Sequence, residues 1–512
     1  MDAEAFRKHG KEMVDFIADY WDGLEKRKPM PEVLPGFMNN MIPNEPPNSP
    51  EDWSEIFEDI DPIVLDTNTN WHHPCFFAYY STACSYPGVM GDMLSTAIAS
   101  IGFTWKSSPS MTELEMKMTD WVATSIGLPD FFKNSDPGPG AGIIQSTASD
   151  ATFIAILAAR ARAVESLKTN RSQLERISDA VSNLNIKSTI TNIFEGDQKS
   201  SELTTFEHHD GNLFGRLVAY CSDQAHCSVA KAIMLAGVKM RKIPTTTENE
   251  SKNYCIDAKA LKEAIKEDRS NGLVPFILVA TMGTTSTCAV DDLTQVGPIC
   301  QEEKIWLHVD AAYAGGFLLC PEFRTMSKGI EYTDSFNFNT HKGMMVNFDC
   351  SPIWFKNATE SVRYFNVDAE YLKHEHQTTA MDYRHLQIAL GRRFRSIKIW
   401  FVMRALGLDR IRAYQRKQVK LANMFADFIR MDEHFELVVP PNLGLVCFRL
   451  KGDNNLTNEL LNRINTDNRI HLVPGKVNDT FYLRLAICSQ KTDESHIRFA
   501  YDVISELAAA KN

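Results

Sequence analysis

From about Ile143 onward the chain alternates short, nearly unbroken apolar runs with stretches of helical periodicity, a pattern few architectures accept. The runs at 217–220 and 276–280 are apolar at every position and 305–309 at all but His308, where a half-exposed strand would alternate with polar residues; 335–338 reads as a further buried strand. Such strands are covered on both faces. Parallel strands need long crossovers, and helices in those crossovers supply the cover. The expectation is an α/β fold with a parallel-rich central sheet. A chain of 512 residues is too long for one core, so two or three units are expected. After about Phe394 the pattern changes to a helix at 396–406, a further helix, and short strands at 435–439, 445–450 and 481–487. That is the profile of a small C-terminal α+β domain. At the other end Phe6, Met13, Val14, Ile17, Tyr20 and Trp21 recur at helical spacing, followed by a proline-rich connection that reads as extended. The division expected is an N-terminal helical dimerisation segment at 1–85, a large domain at 86–397 and the small domain at 398–512.

Composition narrows the function classes. A net charge of −11 with 23% charged residues argues against non-specific nucleic-acid binding, which needs clustered cations. No apolar stretch approaches the ~20 residues of a membrane span, and no secretory apolar run follows the first residues, so a cytoplasmic protein is expected. The eleven cysteines show no CxxC spacing, so neither a zinc site nor a disulfide framework is expected. The stretch 168–215 is rich in Ser, Thr, Asn, Lys and Glu and reads as a surface insertion, helical at 173–184, with His208 and His209 near its end.

Four stretches place reactive side chains where elements end. In Asp334-Ser335-Phe336-Asn337-Phe338-Asn339-Thr340-His341-Lys342, a lysine follows a buried strand. Lysine is rarely hidden unless paired or reactive, and an uncharged amine there can condense with an aldehyde cofactor. The plainer reading is a surface lysine at a strand end. In Ile305-Trp306-Leu307-His308-Val309-Asp310, a carboxylate closes an apolar strand, where open α/β sheets place ligands. It suits a pyridinium partner, or equally a helix cap. Gln145-Ser146-Thr147-Ala148-Ser149-Asp150 opens a helix whose free N–H groups could take a phosphate; a plain cap is the alternative. Ser222-Asp223-Gln224-Ala225-His226 puts an imidazole after another strand.

Together these make a phosphate cradle, a ring stacker, a pyridinium partner and a cofactor lysine. Their order, with Gly102-Phe103-Thr104-Trp105, Thr112-Glu113-Leu114-Glu115, Asn347-Phe348-Asp349-Cys350, Tyr371-Leu372-Lys373-His374 and Leu390-Gly391-Arg392-Arg393-Phe394-Arg395, resembles the group II pyridoxal-phosphate decarboxylases. Within them it is most similar to the animal aromatic-L-amino-acid decarboxylases. The resemblance implies a fold-type I, aspartate aminotransferase-like enzyme carrying pyridoxal 5'-phosphate on Lys342. It implies Asp310 at the pyridine nitrogen with Ala312 beneath the ring, His226 stacked on the other face, Ala148, Ser149 and Asn339 at the phosphate, and Thr285 and His341 close to the cofactor. Thr82 would meet the substrate carboxylate, Gly391 would border the substrate pocket, and Tyr371 would return a proton. Ile101 and Phe103 would arrive from a partner subunit, so a homodimer is implied, with an aromatic amino acid as substrate and no metal.

The implied products are aromatic amines of the catecholamine and indole type. Histidine decarboxylases of the same fold carry Ser where this chain has Gly391. Relatives that act as aromatic acetaldehyde synthases commonly replace the stacking His or the loop Tyr, both of which this chain keeps. An inactive paralogue would lack Lys342 or Asp310, and both are present. Departures from the family are Gly343 for a usual Trp, Thr340 and Ser81 for usual prolines, and Leu386 and Ala389 for a usual Trp and Pro. Gly343 is expected to leave space and flexibility beside Lys342. His374 and His376 have metal-like spacing but read as a solvated loop.

Overall fold

The computed structural model describes residues 1–182, 209–366, 369–376 and 380–510, with side chains to 169 in the first of these stretches. The chain opens with helix α1 (Ala3–Gly23), capped by the Asp2 carboxylate, which accepts from the Glu4 and Ala5 N–H groups. Its apolar residues Phe6 and Val14 remain exposed. Helices α2 (Tyr86–Ile98) and α3 (Pro109–Ile126) lead to strand β1 (Ala141–Gln145) and the long helix α4 (Ala148–Ser182). There follow β2 (Leu217–Ser222), α5 (Cys227–Leu235), β3 (Lys239–Ile243), α6 (Ala258–Ser270), β4 (Val274–Thr281), α7 (Leu293–Glu303), β5 (Trp306–Asp310), β6 (Ser335–Asn337) and β7 (Ser351–Phe355).

These strands form one seven-stranded sheet in the order β1-β7-β6-β5-β4-β2-β3. Only β7 runs against its neighbours; the rest are mutually parallel. The alternation of side chains explains the unbroken apolar runs. Leu278, Ala280, Leu307 and Val309 enter the core on one face, while Ile277, Val279 and Trp306 enter the core on the other. Each wholly buried aliphatic side chain of this kind contributes about 2 kcal/mol.

Beyond the sheet, α8 (Ser396–Met431) leads to β8 (Phe435–Leu437), β9 (Leu445–Leu450), α9 (Asn454–Asp467), β10 (Val473–Val477), β11 (Thr480–Ala486) and α10 (Glu494–Ala509). The four strands make an antiparallel sheet, β8-β9-β11-β10, with its own core around Phe425, Phe448, Leu483 and Ile497. The two helices expected after residue 396 are one element broken at Gly407, whose φ of 67° no other residue type adopts as cheaply. Strands β1, β3, β7 and β10 were not read from the sequence. The expected insertion lies partly outside the described residues, as does His208; the helix expected at 173–184 is the distal part of α4 as far as Ser182. Among the described residues no helix is long and apolar enough to cross a membrane.

Candidate cofactor site

Because β7 alone is reversed, the carboxyl ends of the other strands share one edge, which gathers Gln145, Ser222, Thr281, Asp310 and Asn337. Asp310 closes β5 and is 4% exposed. Its Oδ1 accepts the Ala312 N–H at 3.0 Å, and among the described residues Oδ2 takes no hydrogen bond. Burial raises the carboxyl pKa, while the Ala312 N–H, Lys342 and His226 pull it back.

Lys342 lies in the single helical turn Thr340–Gly343 that follows β6. Burial drives its ammonium pKa down; Asp310 opposes this, and Arg484 reinforces it. An amine with a lowered pKa is a better nucleophile at neutral pH. Its Nζ lies 6.0 Å from the centroid of the Tyr80 ring. That ring stacks on Tyr313 with centroids 3.6 Å apart, and its hydroxyl donates to the Thr284 carbonyl at 3.2 Å. The Arg484 guanidinium sits 5.2 Å from the same centroid. It is buried, and among the described residues neither Nε nor Nη2 has a hydrogen-bond partner. Sequence reading missed Tyr80 and Arg484. The signal available was an arginine between Leu483 and Leu485 on a strand that is otherwise core.

His226 caps α5, and its Nδ1 accepts the Ser228 N–H at 3.2 Å. With Nδ1 acting as acceptor, the ring proton belongs on Nε2. Partial burial lowers its pKa, so the neutral ring is favoured.

At the start of α4 the Thr147 hydroxyl accepts the Asp150 N–H at 3.2 Å, and the Asp150 carboxylate takes the Thr147 N–H at 3.2 Å and its hydroxyl at 2.9 Å. The cap therefore leaves the Ala148 and Ser149 N–H groups to an outside acceptor. Asn339 is buried, and among the described residues its Oδ1 has no hydrogen-bond partner. Free backbone N–H groups at a helix start, a buried carboxylate with an open oxygen and a lysine of lowered pKa together fit the phosphate, ring nitrogen and aldehyde of pyridoxal phosphate.

The remaining expected residues divide into two groups. Thr82 is half-buried, and the next residue, Ala83, donates its N–H to the His341 carbonyl at 2.5 Å, tying that segment to the lysine turn. Ala312 follows Asp310 directly. Thr285 is exposed on the loop after β4. His341 bonds through Nδ1 to the Cys350 backbone, and burial lowers its pKa to about 3, so it is neutral. The second group lies on the surface. Ile101 is 55% exposed and Tyr371 75% exposed, while Phe103 is half-buried. A Cβ built on Gly391 would be 3.5 Å from Ile101 Cγ2, so these two are neighbours. Among the described residues no hydrogen bond or ring contact joins this group to Lys342 or Asp310.

Two expectations need correction. Gly343 leaves no vacancy: a Cβ there would lie 2.9 Å from Gly316 Cα, and the Gln415 amide donates to the Gly343 carbonyl. The two glycines let the lysine turn rest directly on the backbone of 314–319. Gly343→Trp, which creates the family's usual residue, should therefore disturb Lys342 rather than improve the site. The expected result is weaker cofactor retention on dialysis with the rest of the fold intact by circular dichroism; unchanged retention would refute the contact. The loop around His374 is also not simply solvated, because the His374 side chain is buried against Asp382. Among the described residues no group of His, Cys, Asp and Glu is arranged to hold a metal ion.

Comparison with known proteins gives the family. The profile of the pyridoxal-dependent decarboxylase conserved domain matches residues 35–189 and 197–451. The chain is 46% identical over 512 residues to an aromatic-L-amino-acid decarboxylase of Rattus norvegicus, covering 100% of this chain and 98% of the relative. Among solved structures it is similar to Catharanthus roseus tryptophan decarboxylase in complex with L-tryptophan (37% identity, 99% of each chain, TM-score 0.85). It is also similar to Rhodiola rosea 4-hydroxyphenylacetaldehyde synthase (32% identity, 99% of this chain and 98% of that one, TM-score 0.84). With a family match over most of its length, a sheet edge that gathers lysine, aspartate and a free helix start, and full-length relatives of this identity, the chain belongs to the pyridoxal-dependent decarboxylases.

Proposed function

We propose that this protein removes carbon dioxide from aromatic L-amino acids to give the corresponding amines, as a homodimer with pyridoxal phosphate on Lys342. The observation that carries the reading is the Lys342–Asp310–His226 grouping on one sheet edge, in a chain 46% identical to a rat aromatic-L-amino-acid decarboxylase. The chemistry supplied by the bound cofactor is an electron sink for the pair left on Cα when carbon dioxide departs.

The protein's own groups do the rest. Lys342, with its proton affinity reduced, would hold the cofactor through its aldehyde. Asp310 would keep a proton on the ring nitrogen, and Ala312 and His226 would flank the ring. The Ala148 and Ser149 N–H groups and the Asn339 side-chain amide would hold the phosphate, and Thr285 and His341 would lie beside the cofactor. Thr82 orients the substrate carboxylate. Tyr371 delivers a proton from its hydroxyl to Cα.

Among the described residues no hydrogen bond or ring contact joins Ile101, Phe103 or Gly391 to Lys342, and Ile101 and Gly391 are exposed, which is consistent with a pocket completed by a second subunit. Deleting residues 1–30 should remove the apolar face of α1 from that interface and leave inactive monomer or aggregate. A fully active monomer in sedimentation at assay concentration would contradict the shared pocket.

The second reading is aromatic acetaldehyde synthesis, an oxygen-dependent decarboxylation-deamination giving aldehyde, ammonia, hydrogen peroxide and carbon dioxide, and the likeness to the Rhodiola rosea synthase supports it. The retained His226 and Tyr371 favour amine. Purified holoenzyme given dopa, tyrosine, tryptophan and 5-hydroxytryptophan, with amine, aldehyde and peroxide measured together, separates the two. Amine without peroxide is expected, and predominant aldehyde with equal peroxide would replace the first reading by the second.

A further inference from the structure

The surface that carries Tyr371 contains a buried acid–imidazole pair that the reaction outlined above does not use. The side chains of His374 and Asp382 are 2% and 3% exposed, although Tyr371 three residues earlier is 75% exposed. His374 Nε2 lies 3.1 Å from both Asp382 carboxylate oxygens. Asp382 Oδ1 also accepts the Trp105 backbone N–H at 2.8 Å, and Arg384 Nε is 3.6 Å from Oδ2. Alongside, Lys106 Nζ reaches both oxygens of Glu375 at 3.0 and 2.7 Å, and the Trp105 ring meets the His376 ring at 4.9 Å.

These contacts are not equivalent. The Lys106–Glu375 pair is more than half exposed on both sides, and such a pair contributes little. A carboxylate taken almost wholly out of water is tolerable only when its partners are fixed, so breaking one of them is felt locally. The fixed point is therefore His374–Asp382–Trp105. It joins the strip bearing Tyr371 to the turn that continues from Ile101 and Phe103.

We propose that the His374–Asp382 pair is a positioning device for Tyr371. It pins the strip on the 104–106 turn so that the tyrosine hydroxyl reaches the carbon that has lost carbon dioxide before dioxygen does. This rests on the reading of Tyr371 as proton donor. When the proton wins, the phenol O–H breaks, a C–H bond forms and amine results, with the phenolate recovering its proton from water. When dioxygen wins, it takes two electrons and leaves as hydrogen peroxide. The balance is then one amino acid, one dioxygen and one water giving aldehyde, ammonia, peroxide and carbon dioxide.

The test compares wild type, Tyr371→Phe, His374→Phe, His374→Gln and the double variant Tyr371→Phe/His374→Phe, all as air-saturated holoenzyme. His374→Phe should raise the aldehyde-to-amine ratio by about tenfold or more, with KM and cofactor absorbance little changed. His374→Gln places an amide nitrogen where Nε2 stood and should restore the wild-type ratio. The double variant should match Tyr371→Phe, since a device that acts only through Tyr371 has nothing left to position. If His374→Phe loses cofactor, His374→Asn, which is too short to reach Asp382, is read in the same way. A wild-type ratio in the His374 variants, or additive shifts in the double variant, overturns the proposal while leaving Tyr371 in its role. A Tyr371→Phe variant that makes only amine overturns the role of Tyr371 itself, and this proposal with it.

Discussion

Lys342→Ala holoenzyme preparations are expected to show no turnover of any aromatic amino acid and no visible absorbance from a lysine-bound pyridoxal cofactor. The expectation follows from position as well as from residue type. Lys342 sits on a turn that rests on Gly316, beside Asp310 and close to the Tyr80 ring, and its surroundings disfavour the ammonium form. Soaking the variant with pyridoxal phosphate should leave the cofactor dialysable, because phosphate contacts alone would hold it. Normal kinetics with retained absorbance would remove Lys342 from its role.

Asp310→Asn is expected to fold normally and to lose about 10²–10³ in kcat, the size of effect seen when one preorganised electrostatic partner is removed. The amide oxygen can still accept the Ala312 N–H that Oδ1 now takes, so the end of β5 keeps its geometry. What is lost is the negative charge that would keep a proton on the ring nitrogen. Cofactor absorbance and thermal midpoint should therefore change little while the rate falls. An unchanged rate would show that the ring is not the electron sink.

Much of the sheet was legible because unbroken apolar runs have one economical explanation. The strands that escaped reading are those with a weaker pattern. Lys239-Met240-Arg241-Lys242-Ile243 lies at the edge of the sheet with both lysines exposed, and Val473-Pro474-Gly475-Lys476-Val477 is short and interrupted. At the site, Lys342, Asp310 and His226 were readable because each is a polar residue placed just after an apolar run. Tyr80 and Arg484 were not, because each looks like core until the small antiparallel sheet is folded against the segment that carries Tyr80. Gly343 was misread for a related reason. A missing side chain suggests space only while the neighbouring backbone is unknown, and here Gly316 fills it. His374 gave a metal-like spacing in sequence, but its meaning depends on Asp382 and Trp105, eight residues after it and 269 before it.

The most direct measurement is product stoichiometry from the unmutated holoenzyme. With L-dopa or L-tryptophan in air, the account predicts one amine for each carbon dioxide released and no matching peroxide. Aldehyde and peroxide in step with carbon dioxide, or no carbon dioxide from any aromatic amino acid despite bound cofactor, would contradict it.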